Sequence, residues 1–247
     1  MFKKGNLFVL TGFLCLITLN SYAQSNNQAA ISGADAAVKA ENYFNKAIGQ
    51  QSRLYNGAAY AGYYSNIEGS AYFQEIGDFS NGTVWYDGFR YDNIPLKYDI
   101  FKDVMVTILN DNSSLFSLVS EKVSAVKFNN HQFVYLTIQP EEETTNLKSG
   151  FYALAYDGKL KVLVRSTKVT REIIDVVAKQ VFTSRTSYFL LKDNVYYQVS
   201  SESSFMEVLK DQKSSLKKYL KENKIKFNKD PEKAMIVLAN YYDKLTN

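Results

Sequence analysis

Over most of this chain the apolar residues fall in short runs of Val, Ile, Tyr, Phe and Thr, separated by clusters of Asn, Asp, Gly and Ser. Repeated from about Ala71 to Ser200, that punctuation predicts β-strands. The expected strands are AYFQEI, TVWY, FRYDN, LKYDI, VMVTIL, LFSLV, VSAVKF, FVYLTI, FYALAY, LKVLVRSTKV, TSYFLLK and VYYQVS. LYNGAAYAGYY (54–64) reads as one more, with Gly57 and Gly62 permitting a bend. REIIDVVAKQVF (171–182) stays open between a short helix and strand. The connections are short, which favours antiparallel neighbours, because parallel strands need long crossovers.

The two ends follow a different period. Ala37, Val38, Tyr43, Phe44 and Ile48 fall roughly on one face of a helix over 34–52. Near the other end, Ser204 and Glu207 have capping-box spacing, and Phe205, Leu209, Leu216, Tyr219 and Leu220 continue as one stripe. Asp230-Pro231-Glu232 is a second start signal, followed by Met235, Leu238, Ala239 and Tyr242. The expected fold is α+β and mainly β: an antiparallel meander sheet, curved, half-barrel or barrel-like, with an N-terminal helix and a C-terminal two-helix hairpin. It forms a single domain over 34–247, with the helix at 34–52, the antiparallel β region at 54–200 and the helical hairpin at 203–247.

Two Tyr-Asp-Gly turns set local register. A two-residue Asp87-Gly88 loop pairs Tyr86 with Phe89, Trp85 with Arg90 and Val84 with Tyr91. Val84, Tyr86, Phe89 and Tyr91 then share a core-like face, while Thr83, Trp85, Arg90 and Asp92 share a mixed polar one. Asp157-Gly158 is expected to work the same way, with Ala153, Ala155, Leu160 and Val162 on one face. After Tyr91 the apolar positions change parity to Ile94, Leu96, Tyr98 and Ile100, which predicts a bulge or sheet corner at Asn93–Pro95. Trp85 is left without a core role. With Arg90 beside it for cation–π stacking, it is the candidate ligand-binding residue.

The first residues combine Lys3 and Lys4, an apolar run from Leu7 to Leu19 and Ser21-Tyr22-Ala23. This reads as a signal peptide over 1–23, cleaved between Ala23 and Gln24. Its apolar core is shorter than the ~20 residues a spanning helix needs. A flexible leader is expected over 24–33. Export to the periplasm or beyond follows, and no second apolar stretch would span a membrane after cleavage. The single cysteine, Cys15, lies within the peptide, so no disulfide or thiolate site is expected. Losing the two lysines takes the formal charge from +4 to +2, which argues against nucleic acid as a partner.

Candidate chemistry is sparse, and the residues single out no catalytic residue, metal site or cofactor. His131 is the one histidine, in the expected turn FNNHQF, whereas histidine zinc sites recruit several ligands. Asn110-Asp111-Asn112 lacks the calcium-loop pattern. SxxK at Ser124–Lys127, Ser214–Lys217 and Ser215–Lys218 has no supporting motif. Asp87, Asp92, Asp99 and Asp103 lie among aromatic residues, as glycosidase carboxylates often do. Lys213, Lys217, Lys218, Lys221 and Lys224 form the centre of a lysine-rich stretch, a candidate surface for an acidic partner.

The leader ending in Ala-Gln, LYNG with its tyrosine cluster, YDG and PLKYDI, then LKDQKSSLKKYLKENKIKFNKD with YYDKL, resemble in this order uncharacterised exported proteins of Bacteroidota-type bacteria. The resemblance implies export and no activity. In architecture alone, the pattern is similar to periplasmic half-barrel carriers of the lipoprotein-sorting type, which curl a sheet around a lipid. The expected function is a non-catalytic exported module that binds an envelope protein or glycan. The alternative is a carrier of an apolar ligand, and third comes a carbohydrate-active enzyme.

Overall fold

The computed structural model describes residues 33–48, 52–63, 67–109, 114–139, 146–174 and 178–246. The expected signal peptide, the Ala23–Gln24 junction, the leader up to residue 32 and Asn110-Asp111-Asn112 lie outside the described residues. Gly33 already begins the first helix, α1 (Gly33–Ile48), which ends before Ser52. Its stripe does not bury as the helical pattern suggested. Tyr43 and Phe44 are exposed, and α1 meets the domain through a hydrogen bond from Asn42 Nδ2 to Asp92 Oδ2 (2.7 Å).

The strands are β1 (Ile67–Glu68), β2 (Ser80–Tyr86), β3 (Phe89–Asp99), β4 (Val104–Ile108), β5 (Leu115–Ser117) and β6 (Val123–Phe128). They continue with β7 (His131–Leu136), β8 (Gly150–Asp157), β9 (Lys161–Ile174), β10 (Ala178–Lys192) and β11 (Val195–Val199). All belong to one sheet in the order β1-β10-β9-β8-β7-β6-β2-β3-β4-β5, with β11 also on β10. Consecutive antiparallel strands form two runs, β2 to β5 and β6 to β11, and these join where β2 lies against β6. The sheet is open and mixed, not purely antiparallel, because Ile67 and Glu68 run parallel to Gln180 and Val181.

Left-handed backbone at both central residues makes the tight turns. Asp87-Gly88 (φ 54° and 83°), Asn129-Asn130 (49° and 59°) and Asp193-Asn194 (50° and 61°) all carry residues that tolerate it. The register across Asp87-Gly88 is the expected one, Tyr86 with Phe89 and Trp85 with Arg90. The bulge also forms, one to two residues early. Register shifts between Gly82 and Val84 opposite Tyr91–Ile94, Asn93 takes φ 57°, and β3 then continues through Pro95.

Several expectations fail, each for a local reason. The expected strand at 54–64 does not form over its described residues, 54–63: a 3-10 turn at Arg53–Tyr55, capped by Ser52, leads into irregular chain with one bridge, Ala59 to Phe116. AYFQEI is a 3-10 turn at Phe73–Glu75 with a single bridge at Tyr72, and Gln74 sits at φ 54°. Residues 171–174 and 178–182 are strand, so the β-branched residues win over the helical spacing. The second Asp-Gly turn does not close as a two-residue loop. Asp157 pairs with Lys161, and a register shift at Ala155 puts Ala153 opposite Val164.

The C-terminal segment is three helices rather than two: α2 (Glu202–Val208), α3 (Lys213–Glu222) and α4 (Pro231–Thr246). Ser201, not Ser204, caps α2, and Ser204 completes a reciprocal capping box by its side chain. The chain leaves the helical region at Leu209 (φ −107°, ψ 39°) and restarts after a 3-10 turn. This break lets Phe205, Leu209, Leu216 and Leu220 all reach the same core. Asp230 caps α4 as expected, accepting from Lys233 N at 3.1 Å.

One sheet face carries two adjoining cores. In the first, Phe73 lies over Tyr98 and Phe133, and Tyr98 over Phe151, with ring centroids 5.2–6.0 Å apart. In the second, α2, α3 and α4 cover Val162, Leu190 and Val199. Tyr188 and Ala155 pack against both. The opposite face buries Tyr152, Leu163 and Phe189 under Leu147. Beyond Val164, β9 and β10 run on together, held to the body by Lys168 N to Ile100 O (3.1 Å) and by β1 on Gln180 and Val181, with Phe182 packed on Tyr63 and Phe101 and with exposed Ile173 and Ile174 farther out.

Asp243 of α4 explains the displaced second turn. Buried at 6% exposure, it accepts from Lys159 N (2.8 Å), Leu160 N (3.1 Å) and Tyr156 Oη (3.0 Å). The carboxylate occupies the space that a Cβ on Gly158 would need. Asp243→Ala would leave two main-chain donors buried without an acceptor, so we expect a loss of about 3 kcal/mol in urea unfolding. Asp243→Asn, which keeps one acceptor oxygen, is expected to lose less.

Candidate functional site

The four aspartates of the carbohydrate-enzyme expectation are all tied into the scaffold. Asp99, 0% exposed, closes the β3–β4 turn by accepting from Phe101 N and Lys102 N, each at 2.9 Å. Its other oxygen accepts from Tyr60 Oη (2.8 Å) and Tyr63 Oη. Burial, reinforced by hydrogen bonding to Asp99, pushes both tyrosine hydroxyls far above their ordinary range. Asp103 accepts from Tyr98 Oη (2.6 Å) and Arg165 Nη2 (3.1 Å), with burial raising its carboxyl despite those partners. Asp87 faces Arg53 and Lys122, each at 3.8 Å. No pair of these carboxylates is left facing an open space with its oxygens free for substrate.

Asp92 is different in placement though not in saturation. It sits in the β3 bulge and accepts from Thr83 Oγ1 (2.9 Å), Arg90 Nε (2.9 Å) and Asn42 Nδ2 (2.7 Å). Burial would raise its carboxyl, but these donors outweigh burial and hold it below the usual carboxylate range. It thereby fixes the guanidinium of Arg90, which lies over the indole of Trp85 at 5.6 Å from the ring centroid.

Trp85 itself is half-buried on the face away from α2, α3 and α4. Lys127, reaching across from β6, also lies 5.6 Å from the indole centroid. The pairings explain the meeting: Trp85 pairs with Arg90 on β3 and Ala125 on β6, and Thr83 pairs with Lys127. The ring therefore stands between cations from the two flanking strands. Lys127 also lines a groove of about 410 Å³ at the β6–β7 turn, together with Asn81, Asn129, Asn130 and Gln132. His131 borders this groove but turns its ring into the core, 5.0 Å from Phe73, with Nδ1 bonded to Asn129 O at 2.6 Å.

The structure thus brings Trp85 and Arg90 together, as the hairpin register required. Lys127 and the groove amides were missed, because only the pairing of β2 with β6 places them there. The lysine-rich stretch does not converge on this site. Lys213 pairs with Glu207 (3.7 Å) and Lys218 with Glu222 (3.8 Å), whereas Lys217, Lys221 and Lys224 are exposed on or just beyond α3. The SxxK serine Ser124 bonds Trp85 O at 3.3 Å, a sheet contact. Among the described residues no three His, Cys, Asp or Glu side chains group to hold a metal ion, and no helix is long and apolar enough to cross a membrane.

No protein-family model matches the chain, and no significant match was found to a curated protein or a solved structure.

The Asp92 network sets a pH dependence. A depressed folded pKa contributes stability above the unfolded value, ~4 for aspartate, and loses it as pH falls through the folded value. Wild type should therefore exceed Asp92→Asn in stability at pH 6–7, and the gap should shrink steadily below about pH 4 in thermal melts.

Proposed function

We propose that this chain is an exported, non-catalytic binding module that takes its ligand on the β6–β2–β3 face around Trp85. The observation that carries the reading is the half-exposed Trp85 held between Arg90 and Lys127 beside a polar groove. Such an arrangement offers a large rigid side chain whose position costs little further ordering on binding, which is what makes a tryptophan an effective anchor. The engagement of Asp87, Asp92, Asp99 and Asp103 in the scaffold favours binding over hydrolysis. The carrier reading draws less support, because Tyr98, Phe133, Phe151 and Phe73 fill the space in front of the sheet with their own rings.

Biolayer interferometry against glycan and protein fractions from the envelope of the source cells tests this. Wild type should bind a component that Trp85→Ala/Lys127→Glu binds at least about tenfold more weakly, a change typical of an interface anchor. Lys217→Glu/Lys221→Glu, on α3, should bind as wild type does. Absence of binding, undiminished binding by the site variant, or turnover of the bound material would each overturn the proposal.

A further inference from the structure

The donors around Trp85 have an imbalance that narrows the ligand. Arg90 gives its Nε to Asp92 (2.9 Å), but its terminal nitrogens have no acceptor among the described residues. The same holds for Lys127 Nζ and for the indole N–H of Trp85, which makes no hydrogen bond among the described residues although the ring is half-buried. Both cationic heads lie 5.6 Å from the indole centroid, so these donors surround one side chain. Asp92, the acidic group of this face, is already saturated by Thr83, Arg90 and Asn42. What the face lacks is an acceptor, and an anion supplies one.

The groove next to Lys127 asks for something else. The side-chain amides of Asn81, Asn129, Asn130 and Gln132 have no partner among the described residues. Each amide both donates and accepts. A hydroxyl has the same dual character, so a row of amides matches a row of hydroxyls better than it matches phosphates or apolar groups. Lys127 belongs to both regions and joins them. Nucleic acid would want a longer run of cations along its backbone; a lipid surface would use the exposed Tyr43 and Phe44 of α1, next to Asn42, but would leave the amide groove unmatched.

We infer that the ligand of this face is an acidic polysaccharide. Its successive anionic groups lie on Lys127 and on Arg90, to either side of the Trp85 ring, and the hydroxyls of the sugar next to Lys127 lie in the amide groove. The inference rests on the binding-module reading above and adds the chemical class of the ligand. Carboxylate and sulfate sugars share this chemistry.

Affinity electrophoresis of the full chain in gels cast with polygalacturonate, dextran sulfate, neutral dextran or polyglutamate separates the outcomes. At least one anionic polysaccharide should retard wild type, and which one identifies the acid group. Neutral dextran and polyglutamate should not. Lys127→Gln should weaken the retardation about tenfold, the loss expected for a charged hydrogen bond. Trp85→Phe, which keeps a ring but removes the N–H, and Gln132→Ala should each weaken it by a smaller factor, with unchanged melting curves. Equal retardation by polyglutamate would show that charge alone is recognised and would overturn the sugar. Retardation by neutral dextran, no retardation at all, or retardation lost equally in Lys217→Gln/Lys221→Gln would overturn the inference as well. If an envelope component still binds through Trp85 and Lys127 while neither anionic polysaccharide does, the binding face stands and the acidic sugar falls.

Discussion

Buried and half-buried carboxylates hold this fold together. With one cysteine in the sequence, the chain cannot close a disulfide on itself. Instead Asp99, Asp103 and Asp243 each gather donors from segments distant in sequence: Tyr60 and Tyr63 for Asp99, Arg165 for Asp103, and the β8–β9 loop for Asp243. An isolated buried charge is costly. Here each oxygen accepts from main-chain N–H groups, tyrosine hydroxyls or a guanidinium, which offsets the lost hydration. Removing one donor set would strand the charge, so the segments are bound to one another. Lys168 follows the same rule with opposite sign: buried at 5% exposure, it donates to Ser70 O and Glu75 and secures the 3-10 turn over the sheet.

This explains which parts of the fold were legible in the sequence. The Asp87-Gly88 hairpin and the helix start at Asp230-Pro231 depend on residues within a few positions of each other, and both formed in the expected register. The parity change after Tyr91 was also local, and a bulge answers it. The second Asp-Gly turn looked identical in sequence. Its outcome was decided by Asp243, more than 80 residues away, which no turn rule contains. AYFQEI has strand composition, yet it serves as a lid whose Phe73 is needed over Tyr98 and Phe133.

The site divides along the same line. Trp85 and Arg90 emerged because a two-residue turn dictates which side chains face each other. Lys127 and the amide groove come from β6 and β7, which reach β2 only through the join between the two antiparallel runs. That join has no local signature, since both runs are complete meanders by themselves. Without it Trp85 has a single cationic neighbour; with it the ring becomes the centre of a charged, groove-bearing face.

The contact between Asp243 and the β8–β9 loop spans 83 and 84 residues. Loop closure over such a separation is entropically expensive and raises contact order, which slows folding. Until α4 arrives, two main-chain donors wait without an acceptor, and the sheet surface of Val162, Leu190 and Val199 stays uncovered. A nascent chain reaches residue 243 long after the loop has been made, so the fold locks late.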